Sequence, residues 1–226
     1  MAVSGSPSIR GLPAARMAWH DSPRVKQTIV TLDMEGVLTP EIWIAVAAET
    51  GIDELRRTTR DEPDYDVLMR GRLDLLERHG LGLSEIQRVI GTLDPLPGAR
   101  EFLDELRTLT QVIVLSDTFE QFAAPLMRKM AWPTLFCHRL VVEGDRVTDY
   151  RLRLPDQKRE AVRALRGLNF RVISAGDSYN DTTMLGAADT GFLIHAPDNV
   201  KAEFPQFKAV ETLPELLEEI KGALAG

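Results

Sequence analysis

Two hydrophobic rhythms alternate along the chain. In VKQTIVTLD, Val25 to Asp33, apolar and β-branched residues cluster without a helical period and stop at an acid, which predicts a buried strand. TPEIWIAVAAETG then predicts a helix, with Thr39 as N-cap, Pro40 at the first helical position and Gly51 as the stop. DYDVLMRGRLDLLERHG predicts a second helix, with Val67, Leu68, Leu75 and Leu76 among its apolar positions and Gly80 closing it. SEIQRVIGTL predicts a third, opened by a Ser84/Gln87 capping box. From Thr39 to Leu93 the pattern is therefore nearly all helical, with no clear strand.

The rhythm then changes. GAREFLDELRTL reads as a helix with Phe102, Leu103, Leu106 and Leu109 on one stripe, and QVIVLSD as a buried strand. FEQFAAPLMRKM is helical, and TLFCHRLVVEGDRVTDYRLRL reads as a strand and hairpin turning at Glu143-Gly144-Asp145. DQKREAVRALRGL is a helix, FRVISAGDS a strand, NDTTMLGAAD a short helix and GFLIHAP a strand. TLPELLEEIKGALAG closes the chain as a helix with a Thr212/Glu215 capping box. Strands alternating with helices predict the α/β class, a Rossmann-like parallel sheet covered on both faces. In such sheets the binding crevice lies at the carboxyl ends of the strands. Here those ends carry Asp33, Ser116-Asp117 and Asp177. The helical stretch follows the first of them, where a lid over the crevice would sit. The predicted division is a loose extension over 1–24, an α/β core over 25–40 and 95–226, and an inserted helical cap over 41–94.

The first two dozen residues are rich in Gly, Ser and Pro and lack the apolar core of a signal peptide. They read as an extension outside the fold, from an upstream start or, as the weaker alternative, a transit peptide. Composition narrows the classes further. The chain has 226 residues, 44% of them hydrophobic, enough for a sizeable core in one α/β domain with an insert. A net charge of −7 argues against a nucleic-acid partner but leaves room for a small phosphorylated substrate, which needs only a local positive site. The single cysteine, Cys137, lies in the apolar stretch TLFCHRL and reads as buried packing; no internal disulfide can form. Apolar runs such as Ile42 to Ala48 are far shorter than a membrane span, so the expectation is a cytoplasmic protein without a membrane partner.

The strand ends carry candidate chemistry. LDMEGV offers a carboxylate followed by a glycine-permitted turn, LSDT a hydroxyl, DQKRE an ammonium near a helix start, and GDSYND two acids around a strand-to-helix turn. Acids for a hard cation, one hydroxyl and one lysine suit phosphoryl transfer. Mg²⁺ binds through a few carboxylates and keeps water or phosphate oxygens as its other ligands. A carboxylate nucleophile splits one difficult displacement into two, and lysine neutralises charge on the phosphoryl oxygens.

In order and placement, DMEGV, LSDT, the lysine of DQKRE and GDSYND resemble the four motifs of the haloacid dehalogenase superfamily, and the resemblance spans the chain from about Val25. LDMEGVLTPEIWIA, TTRDEPDYDVLM, LSDTFEQF, PLMR, GDSYNDTTML and HAPDNV further resemble the bacterial phosphoserine phosphatase / homoserine phosphotransferase subfamily. The resemblance implies a Mg²⁺-dependent phosphatase that converts phosphoserine to serine and phosphate through an aspartyl-phosphate, with homoserine as an alternative acceptor. It implies Asp33 as nucleophile and Glu35 as general acid/base. Mg²⁺ would be held by the carboxylates of Asp33 and Asp177 and the backbone carbonyl of Glu35, with Asp181 in support. Ser116 and Lys158 would hold phosphoryl oxygens and Asn180 would orient the phosphate. Asp117 and Thr118 belong to the same phosphate-site motif, where Thr118 offers a donor. Glu41 and Arg72 match the positions that meet the substrate's ammonium and carboxylate. A homodimer is compatible with the chain, whose sequence does not fix its oligomeric state.

Each assignment has a plainer reading. Glu41 falls in a first helical turn, where the helix dipole favours an acid anyway. Arg72 competes with Arg60, Arg70 and Arg128 for the carboxylate, and its apolar neighbours favour an inward position. Tyr65 either closes over the substrate or packs between helices, and His195 reads as a hydrogen-bonded structural histidine. Ser178-Tyr179 read as loop residues and ELLEEI as a solvated helix face. Glu35 is one methylene longer than the aspartate most phosphatases of this superfamily carry there, a reach that could favour an alcohol over water as acceptor. Two other functions stand beside the leading one: a phosphatase for another small phosphomonoester, and a binding protein on a catalytically dead fold. Glu41 with Arg72 argues against the first, and the set Asp33, Ser116, Lys158 and Asp177 against the second.

Overall fold

The computed structural model describes residues 25–59, 61–62 and 64–225; the extension over 1–24 and Arg60 lie outside the described residues. A seven-stranded sheet runs in the order β4-β3-β2-β1-β5-β6-β7. Its strands are β1 (Thr28–Leu32), β2 (Gln111–Phe119), β3 (Thr134–Glu143), β4 (Arg146–Arg151), β5 (Arg171–Gly176), β6 (Thr190–Ile194) and β7 (Lys208–Val210). All neighbours pair in parallel except β4, which turns back on β3 as the predicted hairpin. β1 lies at the centre, with Leu32 opposite Val114 of β2 and Ala175 of β5. The chain leaves β1 for β2 on one side and β5 joins on the other, so the switch point falls at the end of β1, where Asp33 stands.

The sheet is covered on both faces because its strands alternate. Val30, Leu32 and Val114 join one buried cluster; Ile29, Ile113, Leu115 and Val172 join another. The first cluster meets α4 (Ala99–Leu109), α5 (Glu120–Lys129) and α9 (Leu213–Ala225); the second meets α6 (Gln157–Gly167), α7 (Thr182–Ala187) and α8 (Asp198–Glu203). Between β1 and α4 lie α1 (Ile42–Thr50), a 3₁₀ turn (Asp53–Arg56), α2 (Tyr65–Arg78) and α3 (Leu83–Thr92). Their apolar side chains, among them Val46, Leu55, Met69, Leu76 and Ile86, join the first cluster.

Several local expectations change. Thr39 does not cap α1. Residues 34–39 close a tight loop in which Thr39 N and Oγ1 both donate to Met34 O, so the helix starts at Ile42. Ser84 and Gln87 form no capping box. Ser84 N and Oγ donate instead to the Asp145 carboxylate of the hairpin turn, at 2.8 and 2.7 Å, and Gln87 Nε2 donates to Gln121 O. A Cβ at Gly82 would collide with that carboxylate. Val67 and Leu109 are exposed at helix ends, 52% and 45%, rather than on the buried stripes. The Thr212/Glu215 box forms as expected, with Glu215 N donating to Thr212 Oγ1 and Thr212 N to Glu215 Oε2. The short elements α8 and β7 have no periodic signature in the sequence. Cys137 is buried. No described helix is long and apolar enough to cross a membrane.

The hairpin ties the inserted helices to the sheet. Besides the Asp145 contact, Arg70 Nη1 donates to Asp149 at 2.8 Å, Arg146 Nη2 to Glu77 at 2.7 Å, and Tyr150 O–H to Asp66. Arg70 is thereby committed to β4, away from the crevice.

Candidate active site

A cavity of about 280 Å³ opens at the carboxyl ends of β1, β2 and β5, roofed by α1, α2 and the loop between them. Asp33 follows β1 and is buried; its Oδ1 accepts from Met34 N at 2.7 Å and lies 2.8 Å from Lys158 Nζ. The turn behind it needs Gly36, whose φ is +80° and whose missing Cβ leaves the space taken by the Asp177 carboxylate. Gly176 likewise leaves room for Asp181.

Lys158, at the start of α6, is buried among acids: Nζ donates to Asp181 Oδ1 at 2.8 Å, contacts Asp33, and lies 3.7 Å from Asp117. Burial opposes its charge, but Asp181, Asp33 and Asp117 outweigh it and hold the ammonium well above the usual lysine range. Asp33 is pushed up by burial and by Asp181, against the pull of Lys158, and further by Asp177. The acids thus exceed the cation, which leaves a negative balance that a further positive ion could offset. Asp33, Asp177 and Asp181 each offer a carboxylate oxygen, all within 4.8 Å of one another. Asp181 is fully buried below the cavity floor. Its Oδ2 already accepts from Asp177 N, Ser178 N and Ser178 Oγ, so Ser178, a loop residue as expected, also supports this acid.

Glu35 is half-buried at the cavity wall. Its Oε2 accepts from Ile42 N at 2.9 Å, so it supplies α1 with the N-terminal partner that Glu41, at the cap position, does not. Burial raises its carboxyl to about 7, helped by Glu41 and opposed by the Ile42 N–H, the Thr118 hydroxyl and Arg72. Ser116 and Thr118 are buried at the end of β2, with Thr118 N donating to Ser116 Oγ at 3.2 Å. Asn180 is exposed at the rim, where its Nδ2 donates to Thr59 Oγ1 at 3.3 Å across the cavity mouth.

Glu41 and Arg72 share the cavity with Asp33. Arg72 is buried, stacks 4.6 Å from the Trp43 ring centroid and donates from Nη2 to Arg57 O at 2.8 Å. Its Nε has no hydrogen-bond partner among the described residues. Desolvation pulls its guanidinium down to about 10, against Tyr65, Glu35 and Glu41. Arg128 is exposed and away from this cavity. Tyr65 lines the cavity and donates to Asp117 O at 3.2 Å, so it links α2 to the end of β2. His195 Nδ1 donates to Gly36 O at 2.9 Å, which makes it a prop for the turn after Asp33.

All the sequence-predicted site residues except Asp181 line one cavity, and Asp181 supports it from beneath. Trp43, Thr58, Thr59 and Leu68 also line it and were not singled out by sequence. Only their placement in the inserted segment, opposite the strand ends, offered a signal.

The mostly parallel sheet places its acid-lined crevice at the switch point, under the helical segment. Over residues 28–189 the chain matches the haloacid dehalogenase-like hydrolases, and it belongs to that family. It is 62% identical over 192 residues to a phosphoserine phosphatase of Pseudomonas syringae pv. tomato, covering 84% of this chain and 81% of that one. It is 59% identical over 192 residues to phosphoserine phosphatase ThrH of Pseudomonas aeruginosa, covering 84% and 94%. Among solved structures, a phosphoserine phosphatase in apo form shares the fold with a TM-score of 0.72 at 22% identity, over 85% of this chain and 98% of that one.

Proposed function

We propose that the protein is a Mg²⁺-dependent phosphoserine phosphatase that works through an aspartyl-phosphate on Asp33. The observation that carries the substrate is Arg72: a buried guanidinium with an unpartnered Nε, in the same cavity as Glu41 and Asp33. A buried cation without a carboxylate is costly, and its planar fork suits a substrate carboxylate. Glu41 then meets the ammonium, and the phosphoryl group reaches Asp33. The identities of the two Pseudomonas relatives support the same substrate.

In the first step an Asp33 carboxylate oxygen attacks phosphorus, the bond from phosphorus to the serine oxygen breaks, and Glu35 gives that oxygen its proton. In the second, water attacks the aspartyl-phosphate, Glu35 takes its proton, and inorganic phosphate leaves with Asp33 restored. Lys158 and Ser116 hold the phosphoryl oxygens, with Thr118 and Asn180 at the edge of the site. Asp117 steadies Lys158. The carboxylates of Asp33 and Asp177 with the Glu35 carbonyl would hold Mg²⁺, and Asp181 supports them. The ion would neutralise charge on the transferring group. The helical segment over 41–94 acts as a cap on the core formed by 25–40 and 95–225, carrying the groups that read the amino-acid part.

Homoserine has the same ammonium and carboxylate with its hydroxyl one methylene farther out, so it fits the same subsites as a second acceptor. Phosphate release from phosphoserine and from a panel of other small phosphomonoesters, with Mg²⁺ present and Asp33→Asn as control, tests the reading. Turnover of aryl phosphates with none of phosphoserine would assign a different monoester.

A further inference from the structure

We propose that His138, on β3, is a positioning residue for the phosphoryl site and acts through Asp117 on Lys158; the role rests on the phosphatase reading above. His138 lies opposite Phe119 in the register of β2 with β3 and is buried. Arg153 N donates to its Nδ1 at 3.1 Å. A backbone N–H can only donate, so Nδ1 carries the lone pair and the ring proton sits on Nε2. That atom faces Asp117 Oδ1 at 3.5 Å.

Gln157 completes the arrangement. Arg153 Nε donates to Gln157 Oε1 at 3.0 Å, which turns the Gln157 amide nitrogen toward Asp117 Oδ1 at 3.1 Å and toward Ser116 O. Gln157 Nε2 thus holds Oδ1 of Asp117, His138 Nε2 faces the same oxygen, and Oδ2 is left facing Lys158 Nζ at 3.7 Å. With Asp33 and Asp181, this carboxylate is the third that fixes the lysine ammonium beside the nucleophile. Without the His138 donor, Asp117 keeps one anchor and can rotate, and Lys158 loses its lateral restraint.

A packing role for the ring makes the opposite prediction. Its neighbours are aromatic: Tyr65 and Phe119 have ring centroids 6.3 and 6.2 Å away. Phenylalanine satisfies those neighbours but has no donor. Glutamine places an N–H₂ group near the Nε2 position but is not aromatic. A packing residue therefore ranks His138→Phe above His138→Gln, and a positioning residue ranks them the other way.

The test compares parent, His138→Phe, His138→Gln, Asp117→Asn and the double variant His138→Phe/Asp117→Asn. It reads kcat and KM for phosphoserine with Mg²⁺, and calorimetric affinity for inorganic phosphate with Mg²⁺. His138→Phe should lower kcat on the order of 10- to 100-fold, the scale of a misplaced catalytic group, and weaken phosphate binding. KM for phosphoserine should move less, because Arg72 and Glu41 hold its other end. His138→Gln should recover most of the loss, and His138→Phe should add little once Asp117 is already Asn. Parent-like kcat and phosphate affinity in His138→Phe, or full multiplication of the two effects in the double variant, would overturn the proposal. If the parent leaves phosphoserine intact, the substrate reading fails, and the ranking of phosphate affinities still decides the role of His138. If His138→Phe does not fold, His138→Met takes its place: it matches glutamine in size and shape without the N–H₂ group, so a positioning residue ranks His138→Gln above it and a packing residue does not.

Discussion

Glu35 has two partners that make different demands on it. Its carboxylate caps α1 through Ile42 N, and burial with Glu41 holds the group near 7, where it can both give and take a proton. Glu35→Gln keeps an acceptor for Ile42 but has no proton to exchange, so turnover should fall by ~10²–10⁴ while the helix start remains intact; turnover near the parent's would remove Glu35 from the chemistry. Glu35→Asp is too short to keep the same reach to Ile42 N. It should weaken the cap and change the ratio of phosphate release to transfer onto homoserine, and an unchanged ratio would detach the extra methylene from acceptor choice. At Asp117, burial pushes the carboxyl up, but Lys158, His138 and Gln157 outweigh it and hold it below the usual range. A carboxyl depressed in the fold stabilises it above the unfolded pKa of about 3.9 and loses that contribution as pH falls through the folded value. The stability difference between the parent and Asp117→Asn, measured by denaturant unfolding, should therefore be widest near neutral pH and close on acidification below about pH 4. A difference independent of pH would contradict it.

The elements show where sequence reading reaches its limit. Asp33, Lys158 and the pair Asp177 and Asp181 each sit in a contiguous motif at a strand end or helix start, so local pattern was enough to bring them to one crevice. Helix caps were read with the same local grammar, and it failed twice. The partner of Ile42 N lies 7 residues away on the catalytic loop, and the partner of Ser84 lies 61 residues away on the hairpin. The first reaches back across the turn after β1, outside the three-residue spacing of a capping box, and the second is a tertiary contact that no short window contains. The Thr212/Glu215 box, whose members are neighbours in the chain, was legible. The same distinction hid Gln157 and His138, whose importance comes from what β2 brings beside them. If Asp145 is the real cap of α3, Asp145→Ala should cost about 0.5–2 kcal/mol, as a lost N-terminal cap does, measured by urea unfolding, with Gln87→Ala costing less. The reverse order would restore the capping box.

For the molecule as a whole, the alternation of strands and helices dictated a parallel sheet, and the sheet dictated the crevice at the β1/β5 switch point. What alternation could not show is how the insert is held. Its apolar residues merge with one face of the core, and the β3–β4 hairpin adds polar ties from outside. Charge acts at this scale too. Buried acids exceed Lys158 beneath the cavity, so a divalent cation should raise Tm by relieving their repulsion. Thermal unfolding with Mg²⁺ against chelator should show that rise in the parent and lose it in Asp177→Asn; an equal rise in both would place the ion elsewhere.

In the proposed reaction Asp33 carries the phosphoryl group between phosphoserine and its acceptor. Rapid-quench mass spectrometry of the Mg²⁺-loaded enzyme with phosphoserine tests it most directly. A phosphoryl adduct should appear on the peptide containing Asp33 and be absent in Asp33→Asn. Steady turnover with no adduct on that peptide, or an adduct on another residue, would contradict the account.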